Sequence, residues 1–401
     1  MILRGLNTLE KLGSIEKPIA SGNKAVEITP ENPQTCYDRG NALVQLGRFQ
    51  EAIASWTQAV ELDPNFHEAW YNLGVANRKL GRNEEAIADY DRSLEIKPDN
   101  AEAWYNRGNV LRSLERFAEA IADYDRALEL KSNYHEAWSN RGNTLVNLER
   151  NQEAIADYDK ALAIKPDYYE AWYNRAQALR NLGRFTDAIA SYDKSLEIKP
   201  NLYQALYNRG IALASAGEFA EAIASYDRTL ELKPNLWEVW NKRGTALVQS
   251  GQLEAAIASW DRAVEIKPNY HEAWYNRGLA LASSHRLEAA IESWDKSLEF
   301  QPENREAWYN RGMALSKLEQ IEAAIASYNK VLEIKPNDAA ALYHKAGLYC
   351  QQDNTDAALE NLQRAIALNP KKYRKLCKTD SKFHKLREDV RFVALAENKA
   401  N

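Results

Sequence analysis

Apolar residues along this chain recur with helical spacing, in blocks of fixed length. In the segment KPDNAEAWYNRGNVLRSLERFAEAIADYDRALEL, Trp104, Leu111 and Leu114 fall seven and three residues apart, which predicts one face of a first helix. Ala120, Ile121, Tyr124, Ala127 and Leu128 predict a second. A proline then stops the pattern, because its ring blocks helical continuation and restricts the residue before it. The stop recurs every 34 residues: Pro30, Pro64, Pro98, then Ser132 in one slot, then Pro166, Pro200, Pro234, Pro268, Pro302, Pro336 and Pro370.

Ten full units therefore run from Pro33 to Lys372, 340 of the 401 residues, without insertion or deletion. Residues 1–32 read as a degenerate unit, since Ile19, Val26, Ile28 and Pro30 match Ile53, Val60, Leu62 and Pro64. Residues 373–401 form a basic tail whose Phe383, Leu386, Phe392 and Leu395 are placed to lay an apolar edge on the last unit. Asp99, Asn133 and Asn235, each with Glu three residues on, predict capped helix starts. Gly47, Gly81, Gly183, Gly217 and Gly251 mark a left-handed turn between the helices; Glu115, Glu149, His285 and Glu319 take that slot elsewhere and predict strain.

The recurring set Trp104, Gly108, Ala120, Tyr124 and Ala127, closed by proline, resembles the tetratricopeptide repeat. That resemblance implies an all-α fold: a right-handed α-solenoid, or superhelix, of stacked antiparallel helix pairs with first helices on the concave side. The stacking follows independently, because one 34-residue hairpin cannot cover its own apolar faces. One departure is systematic. The slot before the glycine, apolar in the usual pattern, holds Arg39, Arg107, Arg141, Arg175, Arg209, Arg243, Arg277 and Arg311. Such an arginine is expected to pack its stem between helices and to meet an acid, with Asp91, Asp125, Asp159, Asp193, Asp227, Asp261 and Asp295 as partners.

Composition narrows the function. Lys and Arg total 52 against 57 Asp and Glu, net −5, and outside the tail the chain is more acidic still, which opposes nucleic-acid binding. No apolar run approaches the roughly 18 residues of a membrane span, and no signal peptide is evident, so a cytoplasmic location is expected. Cys36, Cys350 and Cys377 lack metal-ligand spacing and read as free thiols. His67-Glu68, His135-Glu136 and His271-Glu272 begin like a zinc-protease helix, but Tyr71, Ser139 and Tyr275 stand where the second histidine belongs. Ten of 11 tryptophans occupy repeat slots and are expected in the core; Trp237 is the exception. Neither a cofactor nor catalysis is expected.

What recurs without a core role is polar. Asn72, Asn106, Asn140, Asn174, Asn208, Asn276 and Asn310 sit two places after the tryptophan slot, with Lys242 interrupting the series and Asp38 and His344 at its ends. The resemblance places this slot in the concave groove, where in some members a ladder of asparagines holds peptide backbone. Asparagine both donates and accepts, so it can pair with a peptide group in either sense. Rungs roughly 10 Å apart would each meet about three residues of an extended chain rising about 3.3 Å per residue. Tyr71, Tyr105, Tyr173, Tyr207, Tyr275 and Tyr309 stand beside the rungs, suited equally to contact a ligand or to pack between repeats. Arg78, Arg112 and Arg180 occupy variable groove slots in the first half, against Ala214, Val248 and Ala282 later. The expected partner is thus a protein or peptide, extended or short and helical, acidic where it meets the early repeats and apolar or small-chained where it meets the later ones. The alternatives are a self-associating array or a targeting arm for a separate enzyme.

Overall fold

The computed structural model describes residues 32–397, and every regular element among them is helical. The degenerate unit expected at residues 1–32 lies outside the described residues except for Asn32, whose side chain caps helix Pro33–Gln45 through the amides of Gln34 and Thr35. Helices of 13 and 14 residues alternate from Pro33 to Leu368; only Tyr203–Ala216 among the first helices is longer. The chain divides into two compact units, 1–205 and 206–401. Within each, hairpins stack in sequence order, as in an all-α solenoid of tetratricopeptide type.

The packing of one hairpin explains the repeat's small residues. Ala103 and Ala120 are fully buried, and a Cβ on Gly108 would lie 2.9 Å from the Tyr124 ring. The same close approach joins Gly74 to Tyr90, Gly244 to Trp260 and Gly278 to Trp294. Between helices the turn residue is left-handed throughout: φ is 74° at Gly47 and 60° at Glu115 and Glu149. Amides there close both ends of the turn, Arg116 N donating to Leu111 O and Glu115 N to Arg112 O.

Two sequence expectations are corrected. Helices start one residue later than the capping pattern implied, because the residue after Pro-Asn still belongs to the turn, as when Tyr270 N donates to Lys267 O at 3.0 Å. Tyr134 and Leu236 therefore occupy cap positions without a side-chain bond, whereas Asn100 and Asn304, one place further on than Asp99 or Asn133 in their units, do cap. The tryptophans also split. Trp56, Trp260 and Trp294 on second helices are buried, but the seven on first helices are half-buried and staple the preceding turn. Trp104 Nε1, for example, donates to Pro98 O at 2.9 Å, and Trp274 to Pro268 O.

The repeated arginines bridge neighbouring second helices. Arg107 grips Asp123 of its own repeat with two bonds of 2.8 and 2.6 Å and reaches Asp91 of the preceding one. Arg141 does the same with Asp157 and Asp125. From Arg175 onward serine replaces the inner acid: Arg175 binds Asp159 and Ser191, and Arg277 binds Asp261 and Ser293. At the other end of the chain, helices Pro370–Thr379 and Val390–Glu397 with the 3-10 turn Ser381–Leu386 close the last hairpin. Phe383, Leu386 and Phe392 join its core, with Leu395 partly buried beside them.

Candidate functional site

The first helices of each unit present the amide ladder, and its rungs are half-buried. Their N–H groups are not left open as expected. Asn72 Nδ2 donates to Asn41 Oδ1 at 2.9 Å, Asn106 to the Tyr71 hydroxyl at 2.9 Å and Asn174 to Asn143 Oδ1 at 2.9 Å. Asn140 divides its two N–H groups between the Tyr105 hydroxyl and Asn109 Oδ1, and Asn310 donates to the Tyr275 hydroxyl at 3.2 Å. The physical reason is proximity: adjacent first helices pack closely enough that one repeat's carboxamide reaches the next. What these five rungs still present is the carbonyl oxygen, which accepts no hydrogen bond among the described residues. Asn208 is half-buried and engaged, and Asn276 makes no hydrogen bond among the described residues.

The tyrosines meet the neighbouring repeat through their hydroxyls, as at Tyr71, Tyr105 and Tyr275, while their rings pack within their own hairpin. Rings of Tyr71, Tyr105, Tyr207 and Tyr309 lean on the second-helix tyrosines Tyr90, Tyr124, Tyr226 and Tyr328 at 5.8–6.3 Å. Tyr173 contacts Tyr192 at 5.9 Å. Burial pushes the Tyr71 and Tyr275 phenols above their ordinary range, so each remains a neutral hydroxyl that accepts from its asparagine. Sequence reasoning missed the acceptors Asn41, Asn109 and Asn143. The signal was present: Asn109 and Asn143 each follow a rung by three residues, one helical turn on the same face.

Charge differs between the two sides of the hairpins. Arginines on the second-helix side are saturated by acids, whether they stand on a second helix, as at Arg126–Glu129 (2.6 Å), or reach it from a first helix, as in the Arg107 bridge to Asp123. On the first helices, Arg78 and Arg112 form no ion pair among the described residues, and their Nε atoms are buried without a hydrogen-bond partner. Arg180 is engaged. In the second unit the corresponding face turns apolar and opens into two cavities. One, of about 410 Å³, lies between helices Trp237–Gln249 and His271–Ser283, with Leu253 and Trp260 among its lining. The other, of about 310 Å³, is lined by Leu279, Met313 and Asn310.

No group of His, Cys, Asp and Glu among the described residues could hold a metal ion, and no helix among them is long and apolar enough to cross a membrane. All three cysteines are buried and unpaired, their thiols raised by burial above the usual value.

Models of tetratricopeptide repeats match residues 37–101 and 139–202, 101–134, 203–236 and 306–338, and further 244–284, 271–304 and 339–372. The chain belongs to the tetratricopeptide repeat family. It is accordingly a scaffold for protein–protein interaction. Among solved structures it is similar to YrrB, described as a TPR protein with an unusual peptide-binding site: 27% identity over 47% of this chain and 97% of YrrB, TM-score 0.43. MamA is 26% identical over 43% of this chain and 94% of its own, TM-score 0.41. The C-terminal part of a TPR repeat-containing protein from Cytophaga hutchinsonii shares the fold at 18% identity and TM-score 0.54, over 60% of this chain and 98% of its own. No curated protein matches the chain.

Proposed function

We propose that this tetratricopeptide protein is a non-catalytic scaffold that holds a peptide segment of a partner protein against its first-helix faces. The observation that carries the reading is the contrast between the two sides of the hairpins. First-helix arginines turned toward the second helices, such as Arg107 and Arg141, are spent on internal acids, whereas the ladder side of the first helices keeps carbonyl oxygens on the asparagine rungs and the two cations Arg78 and Arg112 without a carboxylate. A peptide's N–H groups pair with carboxamide oxygens, and its carboxylates with guanidinium forks. Each bond contributes only about 0.5–1.5 kcal/mol net, so several rungs must act together. The first unit's face suits an acidic stretch; the second unit's face suits apolar or small side chains.

The test is a peptide array probed with the full chain. Arg78→Gln with Arg112→Gln should abolish retention of acidic peptides while leaving the melting temperature in place, since neither side chain holds an ion pair to lose. Undiminished retention would remove the first-helix face from the account. Substituting the rungs is the poorer test, because each change also cuts a bond between repeats.

A further inference from the structure

Asn276, the rung that follows Lys242 in the second unit, makes no hydrogen bond among the described residues. A rung normally donates to a tyrosine hydroxyl or to a second asparagine on the preceding first helix. There, Asn241 stands in the tyrosine position, 2% exposed, and is fully used: its Oδ1 accepts from Trp260 Nε1 at 2.8 Å and its Nδ2 donates to the Tyr270 hydroxyl at 2.8 Å. Thr245 stands in the second asparagine position and turns its hydroxyl back onto Asn241 O at 3.1 Å. Asn276 is left with donor and acceptor both free, on the wall of the cavity of about 410 Å³.

That cavity combines a free rung with an apolar lining and a cation. Leu253 and Trp260 line it, and Leu279, 37% exposed, adds an apolar wall. Lys242 replaces the preceding rung, is exposed, and forms no ion pair among the described residues. Glu272, the acid in the lining, already accepts from Tyr270 at 2.8 Å and from Asn241 at 3.4 Å. These neutral donors hold Glu272 in place without cancelling its charge, and it forms no ion pair with Lys242, whose ammonium stays available to an acid from outside. The volume lies in the range of about 300–1,000 Å³ typical of sites that enclose a ligand.

We propose that this cavity is the scaffold's specificity pocket. It receives a bulky apolar side chain of the partner peptide, the peptide group of that residue pairs with both ends of the Asn276 carboxamide, and an acidic neighbour meets Lys242. The inference rests on the groove reading and adds which residue of the partner is selected. A carboxamide with both functions free matches the N–H and C=O of one peptide residue, and burial of the side chain against Trp260 and Leu279 removes apolar surface from water.

The experiment selects a random library of short phage-displayed peptides against the full chain, then against Asn276→Ala, Leu279→Ser and Lys242→Glu variants of unchanged helicity. The wild type should enrich Leu, Phe or Met at one position with Asp or Glu beside it. Asn276→Ala should weaken the selected peptides about tenfold, Leu279→Ser should erase the apolar preference, and Lys242→Glu should exchange the acidic neighbour for a basic one. Selected peptides that bind without an apolar preference, or that keep it in Leu279→Ser, overturn the pocket while the groove stands. If no peptide is enriched by the wild type, the groove reading falls and this inference with it.

Discussion

Asn77 Nδ2 donates to Asp89 Oδ2 at 2.7 Å, and the pair marks the one repeat of the first unit's interior in which the bridging arginine is missing. Leu73 stands in the arginine slot there, 3% exposed, so Asp89 has no guanidinium where Asp123 and Asp157 each have one. Asn77, 7% exposed in the slot that holds Leu43, Leu111 and Leu145 in other repeats of the first unit, supplies the missing hydrogen bond but no charge. Burial consequently raises the Asp89 carboxyl to about 6, with Glu85 adding to the rise.

The sign of the pH dependence follows. Asp89 binds its proton more tightly folded than unfolded, so its favourable contribution is complete below about pH 4 and is lost as pH rises through about 6. Asp89→Asn keeps an acceptor for Asn77 and removes the titration. It should raise the denaturation midpoint at pH 7.5 and leave it unchanged at pH 4. Leu73→Arg with Asn77→Leu rebuilds the usual set and should stabilise at pH 7.5 by on the order of 1 kcal/mol. Urea melts at the two pH values check both.

Arg107 makes the complementary prediction. Asp123 is 3% exposed, and Arg107 provides its counter-charge. Removing one partner of such a buried pair typically costs about 3–5 kcal/mol, because the other charge is stranded. Arg107→Ala should therefore destabilise strongly, and Asp123→Ser by less than about 1 kcal/mol, since Ser191 and Ser259 already receive their arginines in later repeats. Chemical denaturation of the two variants separates a bridge that holds the repeats together from a surface ornament.

The helices, their stacking and the partners of the arginine bridge were legible in the sequence because a 34-residue period turns one physical argument into ten. Asp91 answers Arg107, and Asp125 answers Arg141, as spacing alone implied. The use of the asparagines was not legible in the same way. Whether Asn106 faces a ligand or the Tyr71 hydroxyl depends on the separation of two helices, which no residue pattern states. Trp104 was misread for a related reason: an indole that spans the spacing of a core residue can also spend its N–H on a turn carbonyl and stay half-buried. Asn77 is explained by two residues outside its own slot: Leu73 withholds the guanidinium, and Asp89 takes the carboxamide N–H instead.

The turns between helices carry a smaller, additive effect. Glu115, Glu149, His285 and Glu319 hold φ near 60°, a conformation that costs a non-glycine residue about 1–2 kcal/mol, while glycine's looser unfolded chain returns about 0.4–1 kcal/mol of that advantage. Each change to glycine should gain about 0.5 kcal/mol, and all four together should raise the melting temperature by several degrees. Gly108→Ala is different in kind. Its Cβ would meet the Tyr124 ring at 2.9 Å, so overpacking of about 1–3 kcal/mol is expected.

His344 takes the ladder position in the last repeat, and its environment makes it a reporter of the closed end. It stacks on Tyr328 at 5.7 Å and lies within 5.9 Å of the Tyr309 and Tyr343 rings. Burial first, then Lys382 and Lys372, lower its pKa to about 4, against the opposing pull of Asp380 and Asp338. Because the folded imidazole refuses a proton that the unfolded one accepts near pH 6.5, its contribution is complete above that pH and is lost as pH falls towards 4. The last hairpin and its cap should loosen over that window, with faster amide exchange in 339–351 and 381–386, and His344→Asn should flatten the response. The His344 ring signals should titrate near 4 in the intact chain. In a chain cut after residue 379, which removes Lys382, Asp380 and the Phe383 that packs on Tyr343 at 5.3 Å, the titration should move upward towards the ordinary histidine value.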